Sequence, residues 1–374
     1  MIQLVAILGV LGIGIVFSIL GAVKLPLTKK IGIDDAKFGN LISTLMFTSV
    51  IVLFLIGPLV DAYGHKPIAV AGFLVAGFSV FTLIYTDSYK GAVFACIGLG
   101  IGGMCVNAVG NTLLPIVLFG GENPPAASNL GNVFFGIGAF LTPFIIGLLL
   151  KRIGFSKTLS IIGAILFVPI IFALWAKAYP VLPGYEIGKA FGLLSTPVVL
   201  VASLALFCYI ALEASMGGWI TSYLTEVGMS DSRASGVLSG FWITLMVARL
   251  ITAGFVTPDI GTTVIAALAL FAVVTIVIMI MAKNKTVAAA GVLLTGFAFG
   301  PLFPTIAGYT FSKISPELFG TVFSIIFGIG LLGGTIIPKM IGNFAKGKSI
   351  QKSLVILAVT AGILFVISII FGKV

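Results

Sequence analysis

The sequence predicts an all-α integral membrane protein of twelve transmembrane helices in two six-helix halves. Three observations predict it. Of the 374 residues, 59% are hydrophobic and only 9% charged, with a mean hydropathy of +1.25, whereas a soluble domain is about a quarter charged. Apolar runs recur at the roughly 20 residues that a bilayer-spanning helix requires. A single longer, proline-bearing connection follows the sixth run. Twelve spans consume ~240–265 residues, which leaves no room for a folded extramembrane domain and excludes an ordinary soluble enzyme. The aliphatic and aromatic content equally excludes disorder.

The first run, 3–23, has no charge between Leu4 and Val23. It is too long for a signal-peptide core, so it is expected to remain as a helix. Runs 36–60 and 67–86 flank a short connection from Asp61 to Lys66. Runs 90–113 and 126–150 each carry two asparagines, and 157–176 completes the first half. The connection 177–193 holds Pro180, Pro183, Glu186 and Lys189. The second half then reads 194–223, 233–256, 260–282, 286–311, 317–341 and 351–371. The expected organisation is 1–176, a linker at 177–193, and 194–374. The 47 glycines suit close helix approach within a membrane.

The formal charge is +10, from 21 Lys and Arg against 11 Asp and Glu. These basic residues lie in short loops beside apolar spans, so lipid headgroups rather than nucleic acid are the expected partner. Cys96, Cys105 and Cys208 fall inside apolar runs and read as small buried hydrophobes. The lone His65 is placed in a loop, which argues against a histidine metal site or proton relay. With a cytoplasmic N-terminus, Lys66, Lys177, Lys189, Arg249, Lys313 and Lys373 are internal and the other 15 of 21 basic residues external. That inverts the usual positive-inside bias.

Ten of the 11 acids lie in loops or at span ends; Glu213 alone sits deep. A carboxyl there is costly unless paired, hydrated or protonated. It can bind and release a proton, anchor a cation, or serve only in packing. Asn107 and Asn111 share one face of the fourth span, as Asn129 and Asn132 do on the fifth. Their amides can line a polar cavity that binds a hydroxyl-rich solute, or bond one another between helices. Tyr209, Trp219, Trp242 and Tyr309 interleave with this polarity and offer flat faces for a sugar ring. Tyr223 reads as an interfacial anchor.

The junction Gly57-Pro58-Leu59-Val60-Asp61-Ala62-Tyr63-Gly64-His65-Lys66 resembles the loop signature of the major facilitator superfamily, with His65 where Arg is usual. Asn129-Leu130-Gly131-Asn132-Val133-Phe134, followed by Gly138 and Pro143, resembles the fifth helix of the fucose and glucose/galactose sugar-symporter family. Asn111 matches that family's fourth-helix Asn, and Ala211 to Trp219 its seventh-helix stretch. Ala248-Arg249, Phe303-Pro304-Thr305-Ile306 and Gly333 to Pro338 extend the match through helices eight, ten and eleven.

The resemblance implies a major facilitator fold and a secondary transporter of a sugar or sugar-like solute. Asn107, Asn111, Asn129, Asn132, Glu213, Trp219, Trp242 and Thr305 would bind the solute. Asp61, Lys66 and Arg249 would gate, with Arg249 a distant partner of Glu213. The first- and fourth-helix acids of proton-coupled members are absent here, and Lys346 replaces an expected Asp. Glu213 is therefore the candidate coupling residue, for H+ or Na+, with no other cofactor. A monomer in a bacterial inner membrane with both termini cytoplasmic is expected. The competing readings are a uniporter, an exporter of amphipathic compounds, and a transport-inactive receptor or assembly partner. Without a carboxylate pair or metal-ligand cluster in the spans, a membrane enzyme is not expected.

Overall fold

In the computed structural model, residues 1–177, 179, 180, 192–346 and 349–374 are described, and they form no strand. Most of the linker 177–193 lies outside them. The helices of the first half are α1 Ile2–Ile31, α2 Asp35–Tyr63, α3 His65–Tyr85 and α4 Tyr89–Val117. The run Pro124–Trp175 follows, 52 residues long. At 1.5 Å per residue it spans about 78 Å, enough for two crossings of a ~30 Å hydrocarbon core. Gly154, at φ 78°, breaks it, a conformation open chiefly to glycine. It therefore comprises α5 (124–153) and α6 (155–175).

The second half holds α7 Pro197–Glu226, α8 Asp231–Ala253, α9 Gly261–Met281, α10 Lys285–Phe299 and α11 Leu302–Phe311. It ends with α12 Phe319–Ala345, α13 Ile350–Ser353 and α14 Val355–Phe371. Eleven helical runs among the described residues are long and apolar enough to cross a membrane, with α10 and α11 forming one of them. Division of the longest at Gly154 accounts for the twelve expected spans.

The chain forms two compact units. Unit 1 comprises Met1–Gly120, Phe134–Ile187 and Pro316–Ser324; unit 2 comprises Gly121–Val133, Gly188–Ser315 and Ile325–Val374. A segment of each sequence half thus packs within the unit built mainly from the other half.

In unit 1, α4 packs against α1, α2 and α3 and is buried from Gly102 to Pro115. Close approach depends on small residues: a Cβ on Gly9 of α1 would lie 2.8 Å from the Val106 carbonyl oxygen. Lys24 and Asp35 pair at 2.9 Å across the α1–α2 turn. Cys96 and Cys105 are buried in α4, as Cys208 is in α7.

His65 does not lie in a loop. It is the first residue of α3 and is buried, its Nε2 3.1 Å from Thr112 Oγ1 on α4. Gly64, at φ 83°, turns the chain so tightly that it is itself the single residue between α2 and α3.

In unit 2, α7 packs against α8, α11 and α14, while α9 packs against α10 and α14. The Gly121–Val133 segment is fastened by Asn123. Its Oδ1 accepts from Ala126 N at 3.2 Å, capping α5, and its Nδ2 donates to the Val256 carbonyl at 2.8 Å. Tyr223 is not an interfacial anchor. It is fully buried, and its hydroxyl donates to the Met279 carbonyl at 2.8 Å. That bond satisfies the phenol inside the protein, so the ring does not have to reach the headgroups.

Candidate solute-binding and coupling site

Glu213 sits in α7 one turn after Tyr209, and the i, i+4 spacing brings both onto one face. The Tyr209 hydroxyl donates to Glu213 Oε1 at 2.7 Å. Arg249 of α8 is 3% exposed, and its Nη2 lies 3.8 Å from the same oxygen. Arg249 is therefore a direct neighbour of Glu213, not a distant partner, because α8 turns its buried face toward α7. Arg249 Nη2 also donates to the Tyr209 hydroxyl at 3.3 Å, so the phenol bridges the two charges.

Two backbone carbonyls complete the guanidinium's surroundings. Arg249 Nε donates to the Gly300 carbonyl at 2.7 Å and Nη1 to the Asn132 carbonyl at 3.1 Å. Pro304 explains the first, since proline has no N–H to offer the carbonyl four residues earlier. The break between α10 and α11 thus leaves Gly300 an acceptor, and Arg249 takes it. A buried guanidinium is tolerated only when charge and donors are both met, and this arrangement meets them.

Asn129 and Asn132 belong to the same unit. Asn129 Nδ2 donates to the Pro125 carbonyl and to Thr305 Oγ1, each at 2.9 Å. Asn132 Nδ2 donates to the Ser128 carbonyl at 3.0 Å. Asn129 Oδ1, Ser128 Oγ and Ser215 Oγ are buried with no partner among the described residues. Such orphaned groups inside a bilayer protein are costly and mark places where a polar ligand gains by binding.

Asn107 and Asn111 lie in unit 1, on the buried face of α4. Asn111 Nδ2 donates to Asn107 Oδ1 at 2.9 Å and to the Asn107 carbonyl at 3.1 Å. The four asparagines therefore divide between the units two and two.

The two tryptophans differ in setting. Trp219 donates from Nε1 to the Pro338 carbonyl at 3.3 Å and lines an open cavity of about 800 Å³ with Ser222, Glu226 and Lys346. Trp242 packs edge-on to Phe241 at 5.2 Å and faces Gly217 of α7.

Of the expected gating residues, Asp61 and Lys66 serve helix ends in unit 1. Asp61 is buried and accepts from Gly320 N at 2.8 Å and from Thr321 N and Oγ1, each at 2.6 Å. It thereby caps the start of α12, where the helix dipole favours an anion. Lys66 donates to the Leu174 carbonyl at 3.0 Å, near the end of α6. Asp61→Ala is expected to cost ~1–2 kcal/mol. Asp61→Asn, which keeps an acceptor, should cost less. Thiol-reactive dye labelling of buried Cys96 and Cys105 during heating measures both.

Sequence reasoning missed two partners. Tyr209 was named for its ring, although its four-residue spacing from Glu213 already pointed to the carboxyl. Thr321 gave no signal, because its partner lies 260 residues away.

Residues 5–338 match the family profile described as Major Facilitator Superfamily. The chain is 25% identical over 324 residues to Bypass of stop codon protein 6 of Saccharomyces cerevisiae, covering 74% of this chain and 64% of that protein. It therefore spans under two thirds of the length of that curated relative. Among solved structures it is similar to the E. coli fucose:proton symporter FucP, with a TM-score of 0.82, 18% identity, and coverage of 99% of this chain and 98% of the other. A similar match is to FucP in the outward conformation, with a TM-score of 0.82 and 17% identity over 99% and 98% of the chains. The human organic anion transporter MFSD10 matches with a TM-score of 0.70 and 15% identity over 98% and 97%. At these identities the structural matches speak to fold.

Proposed function

This chain belongs to the Major Facilitator Superfamily, and we propose that within this family of membrane transporters it carries a sugar or sugar-like polar solute by alternating access. The observation that carries this reading is the charge-balanced polar cluster of unit 2. Arg249 is offset by Glu213, while Asn129 Oδ1, Ser128 Oγ and Ser215 Oγ are buried without partners. A balanced cluster has no spare cation for an organic anion, whereas amide and hydroxyl groups match a neutral polyol. The fucose:proton symporter whose fold this chain shares lends support.

In this reading Asn129, Asn132 and Thr305 supply polar contacts within unit 2, and the hydrogen-bonded pair Asn107 and Asn111 is the polar group of α4 in unit 1. Trp219 and Trp242 offer ring faces. Glu213 carries the coupling proton, and Asp61, Lys66 and Arg249 hold helix ends whose release accompanies the cycle. Counterflow in proteoliposomes across hexoses, deoxy sugars, organic anions and lipophilic cations tests it. Exchange of a sugar supports the reading, while exchange confined to lipophilic cations makes the protein an exporter of amphipathic compounds. Ligand binding with no exchange makes it a receptor.

We further propose a bacterial inner-membrane location as a monomer, with both termini cytoplasmic despite the basic-residue tally. Exposed Lys29 and Lys313 fall on opposite sides in that topology. In intact cells, Lys29→Cys is expected to react with an impermeant maleimide and Lys313→Cys to be protected. The reverse pattern overturns the orientation.

A further inference from the structure

The cavity beside Trp219 stands apart from the Arg249 cluster, although α7 contributes to both. Trp219, Ser222 and Glu226 follow Glu213 by 6, 9 and 13 residues. At 3.6 residues per turn they fall within about 60° of one another, on the side of α7 turned away from Glu213. At 1.5 Å per residue they lie about 9–20 Å further along the helix axis. Trp219 therefore shares no face with the carboxyl, and its ring opens on a space of its own.

The walls of that space are held in place. The indole is fixed by its bond to the Pro338 carbonyl. Gly342 of α12 keeps the ring's edge clear, since a Cβ there would lie 3.1 Å from Cζ2. Glu226 ends α7 and accepts from Ser349 Oγ and, at 2.7 Å, from Ile350 N. Gln351 donates to the Met279 and Ala282 carbonyls at 3.0 and 2.7 Å, which ties α13 to the end of α9. Ser222, Thr225 and Lys346 belong to the same lining, and all of these residues lie in unit 2.

We propose, resting on the sugar-transport reading above, that this cavity is a second, outlying site that holds a neutral sugar on its way to or from the Arg249 cluster. A pyranose has an apolar face of C–H groups and a rim of hydroxyls. The indole offers a flat apolar surface to the face. For the rim, Glu226 accepts, Lys346 donates and the Ser222 hydroxyl does both. A carboxylate has about four lone-pair positions, so the bonds to Ser349 and Ile350 leave Glu226 further acceptors. One carboxylate and one ammonium leave no net charge, which favours a neutral solute over an organic ion. Loss of such a site weakens capture and spares the turnover of the central cluster, so it raises KM at constant maximal rate.

The double variant Trp175→Phe/Trp242→Phe leaves Trp219 as the sole tryptophan of three, so its emission reports the cavity. In proteoliposomes, D-glucose, D-galactose and L-fucose are titrated, and at least one is expected to change that emission saturably. Acyclic mannitol, which has no ring face, should not. Adding Asn129→Ala should weaken counterflow about tenfold while the Trp219 response keeps its midpoint. Thr305→Val repeats that comparison should the alanine variant fail to fold. Gly342→Leu fills the cavity from α12, and Ser222→Leu fills it from α7. Each should abolish the Trp219 response and raise the counterflow KM about two- to tenfold, with the maximal rate kept. A Trp219 that answers none of the three sugars, or answers mannitol equally, overturns the proposal. So does a response that disappears with Asn129→Ala and Thr305→Val, because one site would then serve both. Emission that follows only the phosphatidylglycerol content of the vesicles makes the cavity a lipid seat and overturns it too. Counterflow with a silent Trp219 removes the second site alone, whereas a sugar-responsive Trp219 without counterflow removes the transport reading and leaves the cavity as a sugar site.

Discussion

Glu213→Gln is expected to abolish proton-driven accumulation of solute while counterflow continues. In one-to-one symport, a pH difference of one unit supports a roughly tenfold solute gradient, worth about 1.4 kcal/mol. An amide at position 213 accepts no proton in this range, so the accumulation ratio should fall to one. Exchange at equal solute concentrations requires only a binding site that alternates, and the Asn129, Asn132 and Thr305 contacts do not pass through the carboxyl. Radiolabelled sugar uptake with and without an imposed pH gradient measures the first quantity, and counterflow the second. Gradient-driven accumulation by the Gln variant equal to that of the unaltered protein would remove Glu213 from the coupling step.

The second large effect is on stability. Arg249→Met leaves Glu213 without its counter-charge and the Gly300 and Asn132 carbonyls without their side-chain donor. Loss of one partner of a fully buried ion pair costs about 3–5 kcal/mol, and because the Glu213 carboxyl left behind is 23% exposed the loss here should fall below that range. The double variant Arg249→Met/Glu213→Gln removes both charges and should recover part of that loss. The pair is then coupled, and a double-mutant cycle measures by how much. Heating with a thiol-reactive dye reads all three variants, because Cys96, Cys105 and Cys208 are buried until the helices separate. Equal losses in the single Arg249 variant and the double variant would show that the guanidinium serves only its carbonyls.

Much of the fold was legible because hydropathy alone dictates where a chain can cross a bilayer. The twelve spans follow from apolar length, and among the described residues Gly154 alone separates two of them by a break within one long run. The depth of Glu213 was equally plain, since a lone acid in an apolar run stands out. Its distance from Arg249 was not, because that depends on how α8 is rotated about its axis against α7. Tyr223 misled for a similar reason. An aromatic near a helix end has the same sequence signature whether its hydroxyl meets headgroups or, as here, the Met279 carbonyl. The helix-break role of Pro304 could be read from residue type, but the donor that answers the freed Gly300 carbonyl could not.

The exchange of segments between the two units bears on how the chain can be cut and rebuilt. Cleavage in the connection after α6 would yield two fragments, and neither would carry a whole unit. The first would lack Pro316–Ser324, and with it the backbone amides that meet Asp61. The second would lack Gly121–Val133, and with it the Asn132 carbonyl that Arg249 holds. Each fragment would keep a buried ionised side chain stripped of partners that only the other supplies. Separately made halves are thus obligate complements, stable when co-inserted and prone to clearance when expressed alone.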